Sequence, residues 1–222
     1  MRYLGSKESL TDQITSLLNE KKLLKRDLIF FDAFCGMGAV VDTVKRSYNN
    51  IILNDSLKCS VTYSQGRLYA DECTFATLGF DPFEYFNSNH TTIEGFIYKN
   101  YSPGDSNRMY FTQNNAGRID YFRQQIESWY LNNRISYKEY VYLIACLLES
   151  VSDVSNTAGV YGAFLKHWDS RALKPIFFSK INSQTGTCPN VIAYNKKIED
   201  IISNIECDIL YLDPPYLSLI HI

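Results

Sequence analysis

Four short apolar runs predict the strands of a parallel β-sheet. They cover residues 28–32, 50–55, 191–195 and 209–212, and each has the length and the Ile, Leu, Val or aromatic content of a buried strand. Apolar residues at helical spacing follow the first three runs, the second of these stretches covering residues 56–68 and the third residues 198–205. This alternation of strand and helix is typical of an α/β fold.

A further helix is predicted ahead of the first strand. Ser9, with Asp12 three residues later, has the spacing of an N-terminal cap. Apolar positions from Leu10 to Leu24 share one helical face. An amphipathic helix is therefore expected before the sheet.

Residues 75–189 interrupt the pattern of strands and helices. Polar loops separate helical stretches there, with apolar helical positions at 119–130 and 140–148. We therefore expect a mainly helical insertion between two parts of a discontinuous core, residues 1–74 and 190–216. The charge of the insertion does not indicate its role, because residues 75–190 contain ten Lys or Arg and ten Asp or Glu.

The composition limits the class of protein without identifying a ligand. A chain of 222 residues with 45% hydrophobic residues can bury a core, and a net charge of -2 gives no general signal for nucleic-acid binding. Six cysteines without a CxxC pair and three scattered histidines favour reduced thiols and no metal site. Reduced thiols favour a cytoplasmic protein, and the apolar runs are too short for a membrane span.

The fourth run ends in a tetrapeptide with the chemistry of an active site. Asp213, Pro214, Pro215 and Tyr216 follow the apolar strand, and open α/β folds carry their ligands at the carboxyl ends of strands. A carboxylate and the carbonyl oxygens of a rigid proline pair accept hydrogen bonds, and a tyrosine ring can lie flat against a planar group. These groups suit an amino group on an aromatic ring.

The first strand ends in a glycine turn that favours a nucleoside ligand. Asp32 closes the strand, and Gly36 and Gly38 let a ligand approach the main chain closely. Asp55, at the end of the second strand, can accept both hydroxyls of a ribose. A plain turn and a helix N-cap are the alternative roles of these positions. Val41 replaces the last glycine of the GxGxxG fingerprint, which argues against a pyrophosphate and for a ligand such as S-adenosylmethionine.

Together these motifs resemble those of the Dam-type (class alpha, D12 class) N6-adenine DNA methyltransferases. Residues 2–7, 32–38 and 213–216 are similar to the family's N-terminal, glycine and catalytic motifs and follow the family's order. The resemblance implies a Rossmann-like S-adenosylmethionine-dependent methyltransferase core with an incomplete sheet, and a target-recognition insertion at 75–189. It implies that the catalytic residues are Asp213, Pro214, Pro215 and Tyr216, and that the cofactor-binding residues are Tyr3, Gly5, Lys7, Asp32, Phe34, Gly36, Gly38, Asp55 and Asn195.

A fourth stretch, residues 156–166, is similar to a segment that some family members carry in the target-recognition region. It favours DNA as the substrate and makes Asn156, Tyr161 and Lys166 candidate DNA-binding residues. Arg118 and Arg123 are further candidates for phosphate contacts, and a solvated surface position is the alternative for each cation.

The resemblance implies methyl transfer from S-adenosylmethionine to N6 of adenine in double-stranded DNA, by a member of a restriction-modification system or by an orphan methylase. In the first case a cognate restriction endonuclease is a partner, and in neither case is a membrane or a metal expected. Other amino-methyltransferases share the Asp-Pro-Pro-Tyr site and act on N4 of cytosine, on guanine in ribosomal RNA or on a protein glutamine. An inactive DNA-binding fragment is the remaining alternative.

The C-terminal end carries a separate expectation. Family members continue past the tyrosine through further strands, and residues 217–222 match one translation frame of a transposase library adapter. We therefore expect truncation after residue 216 and a non-native tail at 217–222. The fourth strand would then be an exposed apolar edge that promotes aggregation.

Overall fold

The computed structural model describes residues 7–158, 161–186 and 189–214, and these residues contain the predicted parallel sheet. Its strands lie in the order β3-β2-β1-β4, and each neighbouring pair is parallel. All four carboxyl ends therefore meet at one edge of the sheet. The expected α/β class with a Rossmann-like sheet is confirmed. The strands are β1 (Ile29–Asp32), β2 (Asn50–Asn54), β3 (Asn190–Tyr194) and β4 (Ile209–Tyr211).

The described residues divide into two compact units. The helical unit is Glu72–Asn182, and the sheet unit contains the described parts of Ser6–Asp71 and Ser183–Ile222. The predicted roles of core and target-recognition insertion stay predictions for these two units. Among the described residues, no helix combines the length and the apolar character needed to cross a membrane.

The two faces of the sheet differ in burial. On one face Phe30 is fully buried, and its ring stacks on Tyr48 with centroids 5.1 Å apart. On the other face Phe31 packs with Ile201 and neighbouring apolar residues, while Ile192 and Leu210 in the outer strands are 45% and 41% exposed. The helices of this unit are α1 (Thr11–Glu20), α2 (Ala39–Val44) and α3 (Lys58–Tyr69), of which α2 packs against both others.

Two local predictions in the sheet unit were wrong. The stretch at 198–205 forms two 3₁₀ turns, Ile198–Asp200 and Ile202–Asn204, rather than one helix. Eight residues are too few for a stable isolated helix, and the apolar side chains of this stretch pack on the sheet without needing one. Ser9 lies in a further 3₁₀ turn, Glu8–Leu10, and α1 starts at Thr11 without a side-chain cap, so the predicted cap is absent.

The helical unit is built around an aromatic cluster. The ring centroid of Phe86 lies 4.6 Å from that of Phe178, 4.9 Å from that of Phe122 and 5.0 Å from that of Trp129. The regular secondary structure of the described residues in this unit is helical, as the spacing of apolar residues predicts. Its helices are α4 (Pro82–Ser88), α5 (Phe96–Tyr101), α6 (Gln113–Leu131) and α7 (Tyr137–Asp153).

Gly38 closes the turn between β1 and α2 in a backbone conformation that favours glycine. Its φ is 72°, and its N–H donates to the Cys35 carbonyl oxygen at 2.8 Å. A Cβ on Gly38 would lie 2.9 Å from Cα and 2.8 Å from Oγ of Ser64 in α3. Both the conformation and the close packing of the turn on α3 therefore require glycine.

We expect Gly38→Ala to lower the free energy of unfolding by about 2–5 kcal/mol. The left-handed conformation accounts for about 1–2 kcal/mol, and the overlap with Ser64 adds about 1–3 kcal/mol. Urea denaturation measures the change. Gly79→Ala is the matched control, since Gly79 has φ 81° and no atom within 4 Å of an added Cβ. Equal losses in the two variants would contradict a contribution from the contact with α3.

Candidate active site

Three acidic residues meet at the carboxyl edge of the sheet. Asp32 ends β1, Asp55 follows β2 and Asp213 lies two residues after β4, and β1 is between the other two strands. Burial raises the pKa of Asp32 from 3.8 to about 7, a hydrogen bond from the Phe34 N–H opposes the rise, and the negative charges of Asp213 and Asp55 add to it. The edge therefore concentrates negative charge around a carboxyl that is only 1% exposed.

Asp55 holds the glycine turn in its shape. One of its oxygens accepts the Gly36 N–H at 3.0 Å, and the other accepts the Leu57 N–H at 2.8 Å. The Ser64 hydroxyl donates to the Gly36 carbonyl oxygen at 2.9 Å, so α3 supports the same turn. A carboxylate has about four lone-pair positions, and Asp55 can accept further donors in addition to these two.

Asn54 is a residue of this edge that the sequence interpretation missed. It is 1% exposed, its amide donates to the Ala33 carbonyl oxygen at 3.1 Å, and its oxygen accepts the Lys196 N–H at 3.2 Å. One side chain thus ties the ends of β1, β2 and β3 together. The available signal was an amide at the end of an otherwise apolar strand, immediately before an acid.

Two other predicted cofactor residues have structural contacts. The Asn195 amide donates to the carbonyl oxygens of Asp55 and Ser56 at 2.9 and 3.0 Å. Phe34 is partly buried against the cluster that contains Phe31 and Ile201. Asn195 therefore lies beside Asp55 at the sheet edge, and its role toward a cofactor stays a prediction.

Lys7 and Asp213 form an ion pair that joins the segment before α1 to the segment after β4. The Lys7 Nζ lies 3.0 Å from Asp213 Oδ2, and the two side chains are 16% and 23% exposed. The sequence interpretation placed these residues in two separate motifs, one for the cofactor and one for catalysis. Pro214 follows at an exposed position. The remaining predicted residues of these motifs lie outside the described residues: Tyr3, Gly5, Pro215 and Tyr216.

Asp42, Lys45 and Arg67 form a buried ionic network beside the turn. The sequence interpretation did not predict it. The Lys45 side chain is fully buried, with its Nζ 3.1 Å from Asp42 Oδ1 and 2.8 Å from Ser183 Oγ. Arg67 lies 3.8 Å from Asp42 and 2.8 Å from Glu8. Because a buried cation needs compensating partners, this network fixes the chain at Ser183 against α2 and α3.

Three of the five candidate DNA-binding residues are buried or paired, and the other two are exposed. Arg118 is 5% exposed, donates to the carbonyl oxygens of Thr91 and Phe86, and lies over the Phe122 ring, so its position argues against the predicted phosphate contact. Arg123 pairs with Glu127 in α6. Asn156 is fully buried and bonded to main chain. Tyr161 and Lys166 are exposed.

Asp32 should give the protein a characteristic pH dependence of stability. Its pKa of about 7 lies above the ordinary value of 3.8, so between these values the folded state binds the proton and the unfolded state does not. The contribution of Asp32 to the free energy of unfolding is therefore largest below pH ~4 and falls as the pH rises to about 7, by on the order of 4 kcal/mol. Urea unfolding at several pH values measures this fall.

Asp32→Asn should remove this fall, since the amide does not titrate. Asp12→Asn, at an exposed position in α1, is the matched control and should retain it. If the Asp32 variant and the unsubstituted protein lost stability equally over this range, another group would be responsible.

The chain was compared with known proteins. The family model of D12 class N6 adenine-specific DNA methyltransferases matches residues 3–221. The chain is 36% identical to Type II methyltransferase M.FokI of Planomicrobium okeanokoites over 225 aligned residues, which cover 97% of the chain and 34% of that protein. It is 37% identical to modification methylase LlaI of Lactococcus lactis subsp. lactis over 225 aligned residues, which cover 97% of the chain and 36% of that protein. Type II methyltransferase M.NlaIII of Neisseria lactamica is 36% identical over 218 residues, 97% of the chain and 64% of that protein. The chain thus spans only part of the length of these relatives.

Proposed function

We propose that this chain, which belongs to the family of D12 class N6 adenine-specific DNA methyltransferases, transfers a methyl group from S-adenosylmethionine to N6 of adenine in double-stranded DNA. The observation that carries the proposal is the ion pair of Lys7 with Asp213 at 3.0 Å, at the sheet edge where β1 enters the glycine turn. The carboxylate of the Asp-Pro-Pro-Tyr motif is thereby fixed at the position where α/β folds bind their ligands.

The side chains at this edge fit S-adenosylmethionine. Asp32 and Asp55 are acceptors for an ammonium group and for ribose hydroxyls. Gly36 and Gly38 carry no side chain that would block a close approach of a ligand to the main chain of the turn. Asn195, next to Asp55, is proposed to lie near the adenine ring. Tyr3 and Gly5 complete the proposed set by the family resemblance. The bound cofactor supplies an electrophilic methyl group on a sulfonium.

The work of the protein is to make the adenine amine nucleophilic. The lone pair of N6 is delocalised into the ring, so acceptors for the N–H hydrogens are needed to free it. Asp213 accepts a hydrogen bond from one N–H of the amine, and the Pro214 carbonyl oxygen accepts a hydrogen bond from the other. Lys7 holds Oδ2 of Asp213 and leaves Oδ1 for the amine. The base reaches this site by leaving the duplex, with Tyr216 as its stacking partner.

The alternatives differ in how well the relatives support them. The family description names adenine N6, which favours adenine over cytosine, ribosomal RNA guanine and protein glutamine. One relative is named a modification methylase, which supports a role in restriction-modification with a cognate endonuclease as partner. The partial coverage of the relatives keeps a non-catalytic fragment as the second candidate.

Asp213→Ala should lower kcat for methyl transfer by about 100-fold to 1000-fold, since an acceptor that acts on the reacting group is lost. S-adenosylmethionine affinity, measured by calorimetry, should change little. The readout is N6-methyladenine in duplex oligonucleotides, quantified by mass spectrometry.

Asp200→Asn is the control for this prediction, because Asp200 is an exposed acid in a 3₁₀ turn of the same unit. Cofactor binding without any methyl transfer by the unsubstituted chain would favour the non-catalytic fragment. Methyl groups found on cytosine would favour the N4 alternative.

A further inference from the structure

Two segments proposed to bind the cofactor lie on opposite sides of β2. The glycine turn, residues 33–38, follows β1, and residues 194–196 lie at the end of β3. Since β2 separates β1 from β3 in the sheet, these two segments do not pair with each other. Their relative position therefore depends on the residues at the end of β2.

The side chain of Asn54, the last residue of β2, bonds both segments. Its amide nitrogen donates to the Ala33 carbonyl oxygen at 3.1 Å, and its amide oxygen accepts the Lys196 N–H at 3.2 Å. A carboxamide carries a donor and an acceptor in one rigid plane. Because both partners are main-chain groups, the side chain fixes the distance between the two segments and not the rotamer of a neighbour.

The main chain at the end of β2 reinforces this connection. The Cys35 N–H donates to the Asn54 carbonyl oxygen at 2.9 Å, and the Asp55 N–H donates to the Tyr194 carbonyl oxygen at 3.4 Å. Asn54 thus holds the glycine turn at two successive points, through its side chain at Ala33 and through its main chain at Cys35.

Burial decides how Asn54 can affect a ligand. Asn54 is 1% exposed and Ala33 is fully buried, so the amide offers almost no surface for a direct contact with a cofactor. A buried carbonyl oxygen that loses its donor is costly to leave unsatisfied. The glycine turn would therefore shift to find another donor if the amide were removed.

We propose that Asn54 is a positioning residue for S-adenosylmethionine, an inference that rests on the proposed function. Its amide holds the glycine turn and residues 194–196 at the separation that the cofactor requires. Asp32 and Gly36 on one side, and Asn195 on the other, then meet the cofactor without rearrangement. A site ordered in this way before binding loses less free energy when the ligand binds.

The test measures S-adenosylmethionine binding to the full 222-residue chain by calorimetry. Asn54→Ala should raise Kd about tenfold, the effect of one net hydrogen bond, with unchanged stoichiometry. Asn54→Ser keeps a polar atom at the buried position but is too short to reach both partners. It is the milder second variant and should raise Kd by about threefold to tenfold.

Asn115→Ala is the matched control in the helical unit. Asn115 is also 1% exposed, and its side chain bonds the main chain of Ala172, Lys174 and Ile176. This variant should lose stability in urea as the Asn54 variants do, and its Kd for the cofactor should stay unchanged.

Calorimetry separates positioning from a merely structural role. If Asn54 only stabilised the fold, its loss would lower the fraction of protein able to bind, and hence the stoichiometry. The Kd of the remaining folded protein would then equal that of the unsubstituted chain, and this result would overturn the proposal.

Kinetics provide a second readout. In methyl-transfer assays the Asn54 variants should show a raised KM for S-adenosylmethionine, while kcat at saturating cofactor stays the same, because ground-state and transition-state binding are weakened equally. A reduced kcat with an unchanged KM would contradict the role of Asn54.

The outcomes distinguish this proposal from the proposed function. Methyl transfer with equal Kd values in all variants would overturn the role of Asn54 and leave the function standing. A raised Kd in the Asn54 variants of a chain that transfers no methyl group would support the role and count against the function. Failure of the unsubstituted chain to bind S-adenosylmethionine would overturn both.

Discussion

The buried carboxyl of Asp32 is the constraint on which the sheet edge depends. β1 pairs with strands on both sides, so parallel geometry brings the acids that follow β2 and β4 next to it. Three neighbouring acids are tolerated only if their charge is compensated. Lys7 compensates Asp213, and main-chain N–H groups of Gly36 and Leu57 compensate Asp55. The contacts that compensate these charges also shape the glycine turn and attach the segment before α1 to the sheet edge.

The fold was predictable from the sequence to the extent that its signals are local. The four strands are apolar runs that end in polar residues, and each was located to within a residue or two because burial is visible in the run itself. The stretch from Ile198 to Ile205 was not, since a short set of isoleucines packs equally well on a sheet from a helix or from 3₁₀ turns. The choice depends on the surface beneath it, which the local pattern does not contain.

The site was predictable at its acids and glycines and not at its connections. Asp213 and Lys7 were each recognised within a motif, but their pairing joins opposite ends of the described chain. The partners of Asn54 and Asn156 were not predictable, because their side chains donate to carbonyl oxygens of residues distant in the sequence. Arg118 was misjudged for the same reason. Its residue type suggests a surface position, and only the structure shows that its guanidinium is buried and donates to two main-chain carbonyl oxygens.

The charge of the helical unit shows why residue counts mislead about nucleic-acid binding. A sum gives every charge equal weight, whereas the field at a surface depends on which charges remain hydrated and unpaired. Burial removes Arg118 from that surface, and pairing with Glu127 reduces the effect of Arg123. Lys166, Lys174 and Lys180 are exposed on a segment whose main chain is ordered by asparagine side chains. A unit with balanced charges can therefore present a positive, rigid surface, and a basic composition is not required for binding a polyanion.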